Sequence, residues 1–233
     1  MRLLTAAAMV ALLLVAVAPE ASGKGGGTPI TACGQVVMTN AFLTQDMYCP
    51  ASDGVVVGAD NVTVDLKGFT LRGDLSNGHF GIDDQAGFDQ LTVKNGVVRN
   101  FAVGVEANTG DKVAVSNLVA SGNTAYGIAI IGDVAKVQSA TAAGNGLDGI
   151  LVSGDNASIQ TSASTGNGRH GIDVEGDKPQ LKGNRADANG FQGGASDLAG
   201  LGIYVSGFTI PPAGTNTARG NDDPAECNPA ALC

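Results

Sequence analysis

The chain has 233 residues, 43% of them hydrophobic and only 15% charged, with 35 Gly and a formal net charge of −9 from 22 Asp plus Glu against 13 Lys plus Arg. So many apolar and so few charged residues exclude a disordered polyelectrolyte and allow a packed core. An acidic balance without a basic run leaves nothing to neutralise phosphates, which argues against nucleic acid as a partner.

The chain opens on Met1-Arg2, an apolar run over residues 3–18, then Pro19, Glu20, Ala21, Ser22 and Gly23. A positive start, a short apolar stretch and small residues at its exit form the layout of a secretory signal peptide over residues 1–23, with cleavage expected near Ala21 to Gly23. The run is shorter than the roughly 20 apolar residues needed to span a bilayer. No later segment approaches that length, so the mature protein is expected to be secreted or extracytoplasmic, soluble and free of the membrane. Four cysteines then fall in an oxidising compartment: Cys33 and Cys49 near the mature start, Cys227 and Cys233 at the end. Placement predicts Cys33 with Cys49 and Cys227 with Cys233. The spacings lack nearby His and do not match zinc-ligand patterns.

From residue 54 onward a repeat governs the chain. Gly followed by Ile or Val recurs at Gly81, Gly104, Gly127, Gly149, Gly171 and Gly202, in steps of 23, 23, 22, 22 and 31 residues. Asn100, Asn123, Asn145, Asn167, Asn189 and Asn221 follow those glycines by 18 or 19 residues. Two series in one phase identify a structural repeat. Between them lie short strand signals such as Val62-Thr63-Val64, Leu91-Thr92-Val93, Val113-Ala114-Val115 and Ala157-Ser158-Ile159, and no helical period. The physical solution is an all-β solenoid whose coils of about 22 residues stack roughly 4.8 Å apart with their strands parallel. The asparagines are expected to take the left-handed turn and to pair their amides from coil to coil.

Asp60-Asn61-Val62-Thr63-Val64-Asp65-Leu66-Lys67-Gly68-Phe69-Thr70-Leu71, Tyr126-Gly127-Ile128, Asp148-Gly149-Ile150 and His170-Gly171-Ile172 resemble right-handed parallel β-helix repeats of the pectate-lyase-like superfamily. The resemblance covers residues 54 to 221 and implies a single-stranded right-handed parallel β-helix of about seven coils. It implies no single activity, since the superfamily holds lyases, hydrolases, epimerases, adhesins and proteins without known activity. The acidic ligands and basic proton abstractor of its calcium-dependent lyases have no matching set here. Asp83-Asp84 and His170-Gly171 echo polygalacturonase motifs, but lie four coils, about 19 Å, apart.

An open stack must be covered at its ends, so residues 24–53 and 222–233 are expected to be caps, each tied by one disulfide. Cross-pairing would have to run about 30 Å down the stack, whereas a disulfide needs its Cα atoms within about 7 Å. The last coil is longer, with its excess around Gly193 to Gly200, including Asp197. Such insertions project as loops, often on a binding face.

Strand alternation directs Ile172 and Val174 inward and Asp173 and Glu175 outward. The outward column at this phase reads Asp83, Glu106, Ala129, Leu151, Asp173 and Tyr204, and Tyr126, Asp148 and His170 precede their glycines on adjacent coils. Arg169, Asp173, Glu175 and the Asp197 loop should lie nearby. Asp173 and Glu175, about 6.6 Å apart on one strand face, are a candidate carboxylate pair, and His170 a candidate proton carrier. Tyr126, Asp148, Arg169, Asp197 and Tyr204 are candidate ligand-binding residues. No motif indicates a cofactor. An acidic face would repel a polyuronate unless Ca²⁺ bridged the two, so a neutral glycan fits better. The sequence thus points to a monomeric carbohydrate-binding protein, with a non-catalytic spacer or interaction module as one alternative and a polysaccharide lyase or glycoside hydrolase as another.

Overall fold

The computed structural model describes residues 26–76, 78–190, 200–207 and 215–233. The expected leader lies outside them. The chain is an all-β, right-handed parallel β-solenoid of about eight turns. Among the described residues, nine strands build one sheet, from Gln35–Val37 to Cys227–Asn228, and the Gly-Ile segments all lie in it. A second sheet of 14 strands folds around the remaining sides of each coil. Every pairing is parallel and most join residues 22 or 23 apart, as in Ile128 with Ile150 and Ile150 with Ile172.

This register stacks like residues on like. Ile82, Val105, Ile128, Ile150, Ile172 and Ile203 form one inward column with no exposed surface. β-Branched side chains suit the pleated wall, and full burial of each contributes about 1.5–3 kcal/mol. The glycine before each of these residues answers to space. A Cβ at Gly127 would meet the Gly149 carbonyl oxygen at 2.5 Å and Asn145 Nδ2 at 2.7 Å.

Three corners per coil turn the chain, and each has a left-handed residue. One column runs through Asn95, Asn117, Ser139 and Thr161, a second through Gln90, Lys112, Val134, Asn156 and Lys178, and a third through Asn100, Gly122, Gly144, Gly166, Ala188 and Gly220. The third column corrects one expectation. Asn123, Asn145, Asn167, Asn189 and Asn221 are not the left-handed residues but follow them. Each amide Nδ2 donates to the next Oδ1 at 2.9 Å. Asn100 lies outside this ladder. The corner before Gly104 is one residue shorter than those before Gly127 and Gly149, so Phe101 stands under Asn123 and donates its N–H to Asn123 Oδ1 at 3.0 Å. Asn100 occupies the left-handed position of Gly122 instead.

Two further ladders were not anticipated. Ser162, Asn184 and Asn216 repeat the buried pattern at another corner. Asp60, Asp89, Asp111, Asp133 and Asp155 form an exposed one, in which each Oδ1 accepts the N–H of the corresponding Asp one coil on, ending at Asp177. The Gly-Asp pairs at residues 110, 132, 154 and 176 carry the signal for it at the same period.

At the first end, strands Thr28–Ile30, Gln35–Val37, Ala41–Leu43 and Met47–Tyr48 already belong to the two sheets, so stacking begins well before residue 54. The Cys33–Cys49 disulfide lies here, with Cα atoms 5.5 Å apart. At the other end Cys227–Asn228 adds a last strand, and the 3-10 turn Ala230–Leu232 places the fully buried Leu232 against the core. Cys227 and Cys233 are bonded. Among the described residues no helix is long and apolar enough to cross a membrane.

Candidate functional site

The outer wall of the nine-stranded sheet carries the densest group of titratable side chains. Parallel register aligns Asp83, Glu106, Ala129, Leu151, Asp173 and Tyr204 along it. Beside this column the residues preceding each glycine are joined rung to rung. Gly127 N–H donates to the Asp148 carbonyl at 3.1 Å, and Gly149 N–H to that of His170 at 3.0 Å. Tyr126, Asp148 and His170 are thus neighbours on successive coils, as the repeat predicts.

Arg169 organises the group. Its Nε donates to Asp148 Oδ1 at 2.7 Å, and its Nη2 reaches both Asp148 Oδ2 and, at 3.0 Å, Asp173 Oδ2. Asp148 is 0% exposed and Asp173 2%, while the arginine side chain keeps 25% of its surface open. The guanidinium therefore lies as a lid over two buried carboxylates, in the fork geometry that makes such contacts strong. Its Nη1 makes no protein hydrogen bond among the described residues, leaving a fixed donor at the surface. Asp148 Oδ1 also accepts the His170 N–H at 2.8 Å.

His170 is held by its ring. Leu201 N–H donates to Nδ1 at 3.0 Å, which leaves the imidazole proton on Nε2. The ring stacks on Tyr204, centroids 5.1 Å apart and planes at 11°. Burial lowers the His170 pKa and keeps it neutral, against the pull of Asp148. Burial, reinforced by the Asp148 charge and opposed by Arg169, pushes the Asp173 carboxyl up to about 7. Among the described residues its Oδ1 has no hydrogen-bond partner. Tyr126, partly exposed, is raised first by burial and then by Asp148. Glu106 is pushed up to about 7 by burial and by its rung neighbour Asp83.

The structure gathers Tyr126, Asp148, Arg169, His170, Asp173 and Tyr204, but not in the roles alternation alone assigns. Asp173 faces outward yet is buried, because Arg169 lies across it and Tyr204 follows it on the next rung. Glu175, two residues on, is exposed at the strand end and makes no ion pair with the arginine among the described residues. Asp197 lies outside the described residues. The glycines flanking residues 191–199 lie against each other, and Gly200 also abuts the Arg169 carbonyl. Glu106 belongs to the outward column that the sequence defines, but its partial burial is not legible there.

Asp148, His170 and Asp173 each offer a ligand atom, all within 4.8 Å of one another. Arg169 already supplies the positive charge to both carboxylates, and Nε2 carries the proton that a metal would have to displace. The donor set reads as a closed ion-pair network.

The family described as "Right handed beta helix region" matches residues 53–222. Among solved structures, the Agl-KA catalytic domain is 17% identical with a TM-score of 0.53, covering 79% of this chain and 37% of that chain. The chain therefore spans little more than a third of that relative's length. The A-module of the Azotobacter vinelandii mannuronan C-5 epimerase AlgE6 is 15% identical with a TM-score of 0.40, covering 84% of each chain. No curated protein sequence matches the chain. The repeat, the parallel stack and the match over residues 53–222 together place this chain in the right-handed beta helix family.

Proposed function

We propose that this is an exported protein that binds a neutral glycan on the outer wall of its nine-stranded sheet, over Tyr126, Arg169 and Tyr204. The observation that carries the reading is the Arg169 lid. A guanidinium locked on its inner edge by two buried carboxylates presents its remaining donors without losing rotamer freedom on binding. Partly exposed tyrosines on either side, one of them backed by the His170 ring, offer flat faces for sugar rings. Export accords with the two disulfides, and N-terminal sequencing of the mature chain should start between residues 21 and 24.

The test is a glycan array read with the mature protein, followed by titration of any hit. Tyr126→Ala and Tyr204→Ala should each weaken binding about tenfold or more. Arg169→Lys, which keeps the charge but loses the fork, should do the same. A blank array, or a hit indifferent to all three substitutions, refutes the reading.

A cleaving activity is the second reading, favoured by one observation: Asp173 holds a proton up to about pH 7 and, among the described residues, has an unpartnered oxygen. Arg169 would have to lift before substrate could reach it. New reducing ends or unsaturated products from a polysaccharide panel, abolished by Asp173→Asn, would establish it. Their absence leaves binding alone.

A further inference from the structure

The second sheet carries a feature that the site above does not use. Tyr48, Arg72 and Arg99 hold one position on three successive turns, Tyr48 paired with Arg72 and Arg72 with Arg99 in parallel register. Adjacent rungs lie about 4.8 Å apart, so two arginines stand directly opposite each other, which is destabilising without a counter-charge. Among the described residues no carboxylate pairs with either one, although the protein carries a net charge of −9. Arg72 lies instead over the Tyr48 ring, its Cζ 4.3 Å from the centroid, a cation–π contact that holds the guanidinium in place. The two arginines, Tyr48, Met47, Thr70 and Asp46 line a cavity of about 250 Å³. Asp46, on the same rim, has its Oδ1 held by the Thr70 N–H at 2.8 Å and makes no ion pair with either arginine among the described residues.

The residues that continue this position along the stack are small. Ser121, Ala143 and Thr165 follow Arg99 in register, and only at Asp187, paired with Arg185, does a charged side chain return. A shallow track therefore leads away from the cationic cavity along the stack.

We propose that Arg72 and Arg99 form a second binding site, for a tetrahedral oxyanion ester, sulfate or phosphate, on a polysaccharide whose chain lies along the Ser121–Ala143–Thr165 track. One guanidinium fork satisfies both oxygens of a carboxylate. Two forks converging from adjacent rungs supply more donors than a carboxylate accepts and match a group with three terminal oxygens. The negative field of the rest of the protein repels polyanions, so binding localises to this pair.

Titration calorimetry of the mature protein with dextran sulfate, dextran phosphate, polygalacturonate and unmodified dextran tests the proposal. Dextran sulfate or dextran phosphate should bind, more weakly as salt is raised, and whichever binds tighter names the ester. The double variant Arg72→Gln/Arg99→Gln should lose at least about tenfold in affinity, because its charge-assisted hydrogen bonds are gone. Arg72→Lys/Arg99→Lys should fall between the two. Arg185→Gln, a charge removed elsewhere on the same sheet, should bind the esters as the unsubstituted protein does. Arg72, Arg99 and Arg185 are exposed, and far-UV circular dichroism checks that each variant folds. Binding of polygalacturonate or plain dextran as tight as that of the esters overturns the proposal. So does undiminished binding by either double variant, or no binding to any probe.

Discussion

Replacing Arg169 with Met would remove the cation and leave its two carboxylates in place. Breaking a buried ion pair from one side costs about 3–5 kcal/mol, because the remaining charge stays buried without compensation. The structure allows a sharper figure. Asp173, pushed up to about 7, is already about half neutral at pH 7, so the uncompensated charge falls mainly on Asp148, which has no exposed surface. Neutralising one carboxylate of unfolded pKa about 3.9 costs about 4 kcal/mol at pH 7 and about 1.5 kcal/mol at pH 5, at 1.36 kcal/mol per pH unit. The sign follows directly: in the variant the folded state binds more protons than the unfolded one, so its stability falls as pH rises through this window. Urea unfolding followed by circular dichroism at the two pH values should show a deficit of about 4 kcal/mol at pH 7 that shrinks by more than half at pH 5. Adding Asp148→Asn to Arg169→Met should recover most of the loss. A deficit independent of pH, or a double variant no more stable than the single one, would refute the account of Arg169 as a lid over buried charge.

Asn145→Ala should cost about 2–4 kcal/mol, since it strands the Asn123 N–H and Nδ2 that bond to Asn145 Oδ1. Asn100→Gly should change the urea midpoint by less than about 1 kcal/mol equivalent, because that residue needs only a left-handed backbone. Glu106, at about 7 when folded against an ordinary 4.5, adds stability at low pH that is lost as pH rises from about 4.5 through 7. Melting temperatures of Glu106→Gln should therefore fall less steeply between pH 5 and 8 than those of the unsubstituted chain. Gly149→Ala should destabilise by at least about 1–3 kcal/mol, as its Cβ would sit 1.9 Å from Ser164 Oγ and 2.6 Å from Asn167 Nδ2. Unchanged melting would show that the coil can open there at no cost.

Much of this molecule is legible in its order of residues, because a parallel solenoid turns sequence distance into spatial distance at a fixed rate. Once Gly127, Gly149 and Gly171 are read as one column, Tyr126, Asp148 and His170 must be neighbours, and the cysteines at the two ends cannot reach across. The same regularity misled at Asn100. Counting forward 18 or 19 residues from each glycine assumes equal corners, and the corner before Gly104 is one residue short, so Phe101 takes the ladder position. The exposed aspartate ladder is equally periodic, but Gly-Asp is common in ordinary turns, so the pair alone does not mark a ladder.

Tertiary structure alone decided which outward residues meet water. Alternation fixes the direction of Asp173 and Glu175 and gives both the same expected environment, yet one is buried and the other exposed. The difference is a long side chain from the preceding corner. Arg169 can fold back over Asp148 and Asp173 or extend into solvent, and no local pattern encodes that choice. It is settled by electrostatics among groups that the coil brings together, two carboxylates on adjacent rungs and one guanidinium able to reach both. The repeat thus determined the scaffold and its columns, and side-chain reach across neighbouring coils determined the site.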